Sequence, residues 1–74
     1  MSAALHLPLL DWPALQAAEE AVHAAHENFA AIREAWIRAP YGQKRAEYKK
    51  LQRANLHVLK AELHYANLQR GLSQ

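Results

Sequence analysis

Apolar residues recur along this chain with helical spacing in two stretches that one break separates. Leu15, Val22, Phe29 and Trp36 return every seven residues, and Ala18, Ala25 and Ile32 follow the first three of them by three places. This alternation, held for about three heptads among many alanines, predicts an amphipathic helix with a single packing seam. Asp11 reads as its N-cap, Pro13 falls in the first turn where a missing N–H does no harm, and Leu10 and Leu15 are spaced as a hydrophobic staple. A second seam, Leu51, Ala54, Val58, Ala61, Tyr65, Leu68 and Leu72, predicts another helix with Gly71 as its C-cap. Between the two, Pro40 cannot continue a helix and Gly42 can take a positive φ, so the chain reverses at about residues 39–43.

The fold class is therefore all-α: an antiparallel two-helix hairpin, with helices over about residues 11–38 and 43–70. Facing residues have numbers summing to about 81, which sets Phe29 near Leu51 and Val22 near Val58. Residues 1–10, with Pro8 and alternating leucines, read as an extended apolar arm packed near Tyr65, Leu68 and Leu72; residues 11–74 form the hairpin domain.

Helix two has more apolar residues than one partner helix uses. Leu56, Leu59 and Leu63, with Ala66 a turn later, make a second stripe roughly 150° round from the first. The adjoining flank of helix one carries Trp12, His26, Ala30, Arg33 and Ile37, with His23 further round. Trp12, His26, Ala30 and Ile37 with Tyr48, Leu56, Leu59 and Leu63 thus form one face. Soluble proteins rarely leave such a patch open, and the expected closure is a two-fold homodimer, a four-helix bundle. The alternatives are a monomer whose arm (Leu5, Leu7, Leu9, Leu10) covers the stripe, a larger oligomer, or a hetero-complex.

Length sharpens this expectation. Seventy-four residues without a cysteine must be stabilised by packing or self-association, since small cores bury little and no disulfide can form. The apolar start is broken by His6 and Pro8, far short of the roughly 18 residues a membrane span needs, so a cytoplasmic protein is expected. The formal net charge of +2 conceals an asymmetry: residues 1–38 hold five carboxylates against two arginines, whereas residues 39–74 hold seven Lys or Arg against two carboxylates.

Catalytic chemistry has little to stand on. The chain has no glycine-rich phosphate loop, and Ser2 and Ser73 sit at its ends. Glu20, Glu27 and Glu34 recur every seven residues but point away from the seam, as a solvated row does. His23 and His26 have chelating i,i+3 spacing, yet His57 lies on the opposite flank and cannot join them within one chain. They read as polar interface residues that sensitise a dimer to mild acid; the alternative is a metal held by four imidazoles that a two-fold axis near His23 and His26 brings together, and no cofactor or small-molecule substrate is implied.

Two binding surfaces remain. Lys49, Arg53, Lys60 and Asn67 share one outward row of helix two with His57 and His64 beside it, a basic stripe able to meet phosphates. The acidic row of helix one and the lack of a helix-turn-helix bend or stacking motif weigh against that use. At the turn, Tyr41 with Arg38, Lys44, Arg45 and Lys49 offers an aromatic anchor among cations, the mixture that protein interfaces favour. A smooth alanine flank (Ala14, Ala17, Ala21, Ala24, Ala31, Ala35) is a further surface, explained equally by helix propensity.

An antiparallel hairpin of this size, with a second apolar stripe and a Pro-Tyr-Gly turn, resembles the small phage-encoded host-takeover proteins of the quorum-sensing anti-activator type. The resemblance lies in the architecture of residues 11–71 and implies a dimer that binds and disables a host regulator or motor protein. The chain is also similar in plan to the plasmid RNA-binding protein Rop, which implies RNA binding by one face of the bundle. The expected function is a non-enzymatic inhibitor of another protein, acting in the host cytoplasm if phage-encoded; the alternative is Rop-like RNA or DNA binding through the basic face of helix two.

Overall fold

The computed structural model describes the backbone of residues 2–73 and the side chains of residues 12–71. Helix α1 runs from Ser2 to Arg38 and helix α2 from Lys44 to Ser73, joined by a bend at Ala39, an extended Pro40 and one 3-10 turn over Tyr41–Gln43. The two helices pack side by side as a hairpin drawn out into a rod with Cα extents of 62 × 14 × 11 Å. Among the described residues there is no strand.

The predicted seam is what holds the helices together. Ala18, Ala25, Ala54 and Val58 are buried, and Leu15, Val22, Phe29, Ile32, Trp36, Leu51, Ala61, Tyr65 and Leu68 are half-buried beside them. The side chain of Leu72 lies outside the described residues. Phe29 and Leu51 line one groove along the seam, while Ile32 and Ala54 line another. Side-chain contacts on the flanks, Trp36 on Tyr48 and His26 on Glu62, pair residues with slightly larger number sums than 81. Helical side chains lean toward their own N-terminus, so in an antiparallel pair the tips meet between residues further along both helices.

The beginning of α1 departs from expectation. Residues 2–10 are not an extended arm: α1 begins at Ser2 and passes through Asp11, which is therefore an interior residue and not an N-cap. Serine, alanine and leucine support helix there, and Pro8 and Pro13 are carried inside it, leaving the carbonyls of Ala4 and Leu9 without their usual donors. The side chains of the expected arm packing and of Leu10 in the staple lie outside the described residues. With 37 residues against 30, α1 outruns α2 by about 10 Å at 1.5 Å per residue. In this structure the segment therefore continues α1 in line and does not run back along the hairpin.

The glycines also behave differently from expectation. Gly42 has no positive φ, because the reversal is made by extended Pro40 and a right-handed 3-10 turn closed by the Gln43 N–H donating to the Pro40 carbonyl at 2.8 Å. Gly71 has no positive φ either and lies within α2, which runs on to Ser73.

Candidate functional site

The rigid pair of helices presents one apolar face to solvent. Leu56, Leu59 and Leu63 are 57%, 52% and 58% exposed, and Trp12, Ile37 and Tyr48 are about as open. His26 and Ala30 are exposed on the same side, so all eight residues of the expected face are uncovered in the single chain. The seam uses the heptad stripe of each helix and leaves the leucine-rich stripe of α2 open. The chain exposes 6043 Å², whereas a compact monomer of 8.4 kDa has about 4600 Å². Part of that difference follows from the drawn-out shape of the rod.

At the middle of this face lies a polar contact that crosses the seam. His26 Nε2 is 3.2 Å from Glu62 Oε2, with both side chains about half exposed. Sequence reasoning found His26 and missed Glu62. The signal was available, because Glu62 follows the seam residue Ala61 as His26 follows Ala25, and equivalent flanks of an antiparallel pair lie side by side. His57 is on the other flank, where it lines a groove with Asn28 and Arg53, so the structure does not bring it to His26. Among the described residues, no group of three or more His, Asp or Glu side chains is gathered closely enough to hold a metal ion.

The turn is a second, smaller surface, and its cations divide into two kinds. Tyr41 is 95% exposed, and Arg45 and Lys49 are exposed nearby. Arg38 is exposed as well, its Nε 3.5 Å from Glu34 Oε2 one helical turn back. Lys44 is committed inside the chain. Its ammonium donates to the carbonyl oxygens of Trp36 at 2.7 Å and Ile37 at 2.9 Å and lies 5.3 Å from the centre of the Trp36 ring. The end of α1 has carbonyls without helical donors and carries the negative end of the helix dipole, so a lysine reaching across the turn satisfies both. Lys44 is thus a C-terminal cap for α1 supplied by α2, and the open cluster is reduced to Tyr41, Arg38, Arg45 and Lys49.

Along the back of α2, Lys49, Arg53, Lys60 and Asn67 are exposed in one row, with His57 and His64 also open. Lys50, Arg53 and His57 line a shallow groove with Asn28 and Ile32. Lys50 is partly neutralised by Glu47, whose Oε1 is 3.2 Å from the ammonium. On α1, Glu20, Glu27 and Glu34 are exposed, as is the alanine flank from Ala14 to Ala35. No helix among the described residues is long and apolar enough to cross a membrane. No protein-family model, curated protein or solved structure matches this chain.

Proposed function

We propose that this chain is a non-enzymatic, cytoplasmic regulator that pairs into a homodimeric four-helix bundle and binds and inhibits another protein through its turn. The observation that carries the reading is the distribution of apolar surface: a leucine-rich face left open along the rod, and a lone, fully exposed Tyr41 at its tip. The face suits a long, flat, self-complementary contact, whereas an aromatic side chain flanked by Arg38, Arg45 and Lys49 suits a small hot spot on an acidic partner. A transcription regulator of a host cell is the partner class that the likeness to phage anti-activators suggests. Tyr41→Ala is expected to abolish capture of the partner, pulled down from native-host extract by the tagged wild-type protein, while light scattering still reports the dimer. Undiminished capture by that variant would sink the proposed role of the turn.

A second reading is supported by the exposed row Lys49, Arg53 and Lys60 with the neighbouring groove at Lys50 and His57: binding of RNA or DNA along the back of α2. Replacing Lys49, Arg53 and Lys60 together by alanine separates the two. Loss of function along with loss of salt-dependent nucleic-acid binding would favour this second reading over the first.

A further inference from the structure

Resting on the homodimer reading above, we infer that the occupant of the open face is a second copy of this chain in antiparallel orientation, related by a two-fold axis that crosses α1 between His23 and His26 and α2 at Leu59. The two turns then lie at opposite ends of the bundle.

The reason is that like residues stand at mirrored positions at the two ends and the centre of the α1 half of the face, and in the leucines of the α2 half. On α1, positions equidistant from the midpoint between His23 and His26 are Trp12 and Ile37, Gln16 and Arg33, Glu19 and Ala30, and the two histidines themselves. Folding this helix onto its own copy sets apolar end on apolar end, brings Glu19 within a turn of Arg33 of the second copy, and gathers imidazoles at the centre. On α2, positions symmetric about Leu59 to within a residue are Leu56 with Leu63, Gln52 with Ala66, and Tyr48 with Arg70. Leucine meets leucine there, and an aromatic ring meets a guanidinium.

A single axis serves both helices only if the two midpoints share one level of the hairpin. They do: Trp36 and Tyr48, which pack on each other with ring centroids 6.1 Å apart, lie about eleven residues from their respective midpoints. The His26–Glu62 contact falls within one turn of the same level. The parallel alternative, with both turns at one end, opposes α1 to α2 of the other copy. It would seat Glu19, His23 and His26 on Leu56, Leu59 and Leu63, desolvating polar groups against hydrocarbon. The antiparallel arrangement keeps the polar middle of α1 on itself and the leucines of α2 on themselves.

Distance between the turns tests this without touching the interface. A Cβ at Gly42 meets nothing within 4 Å, so Gly42→Cys keeps the fold, and the chain has no other cysteine. A spin label at that position should report a separation of about 45–50 Å in the dimer, from 1.5 Å per residue on either side of the axis. A separation under about 20 Å would establish the parallel arrangement and overturn the inference. Absence of any dipolar coupling together with a monomer mass by light scattering would overturn the homodimer reading as well, whereas a dimer mass with some third distance overturns the orientation alone. Leu59→Cys supplies the complementary measurement: a short bis-maleimide should link the two substituted positions across the axis in most of the protein. Failure to link while the dimer persists would place the axis elsewhere.

Discussion

The closed face and the open face of this hairpin are built from different residues. Where α1 meets α2, the buried positions among the described residues are three alanines and one valine, and the larger seam residues beside them, such as Phe29 and Trp36, are mostly covered. On the open face, Leu56, Leu59, Leu63, Trp12 and Ile37 supply the bulk. Small residues let two helices approach closely but remove little apolar area from water; leucines do the reverse. The hairpin contact is thus a close backbone approach flanked by larger, mostly covered side chains, whereas the leucines of the second face each keep about half of their surface exposed in the single chain.

That contrast is broken most severely at Leu59. Leu59→Lys places a charge on the open face; in the proposed dimer it would forfeit about 2–3 kcal/mol of leucine burial per side chain, and so should weaken that dimer at least a thousandfold. Sedimentation equilibrium would show a monomer, and a melting temperature that no longer rises with protein concentration. A substitution on the closed face should behave in the opposite way. Ala25→Leu forces three extra carbons into a position 2% exposed, should cost about 1–3 kcal/mol, and should lower the melting temperature by the same amount at every concentration.

Between the two faces lies the cap. Lys44→Ala removes two donors from the carbonyls of Trp36 and Ile37 and a cation from the Trp36 ring, and about 1–2 kcal/mol of stability should be lost in chemical denaturation. Gly42→Ala should raise stability by about 0.4–1 kcal/mol, since the residue uses no left-handed conformation and the added methyl meets open space. The smallest effect is expected at the Arg38–Glu34 pair, whose side chains are largely exposed; Glu34→Gln should shift stability by less than about 0.5 kcal/mol.

How much of this was legible in the sequence follows from which interactions leave a periodic trace. The seam was, since Leu15, Val22, Phe29 and Trp36 repeat at a fixed interval and each is at least half-buried. So was the open face, because Leu56, Leu59 and Leu63 are surplus to that repeat. The start of α1 was not: Asp11 and Pro13 imitate a helix beginning, and local signals of that kind cannot register a helix already under way from Ser2. The turn misled for a related reason, since glycine permits a left-handed residue without requiring one, and here the extended Pro40 makes the reversal. Lys44 was read as a contact residue because its partners are main-chain carbonyls eight and seven positions back, and the pairing exists only once the chain has doubled over.

The turn over Tyr41–Gln43 buries no residue and holds no left-handed backbone, while the cap from Lys44 lies just outside it. Evolution can thus rewrite these three positions with little risk to the rod that carries them. If the turn binds a target as proposed, a library randomised at Tyr41, Gly42 and Gln43 would sample new targets on an almost constant background of foldedness.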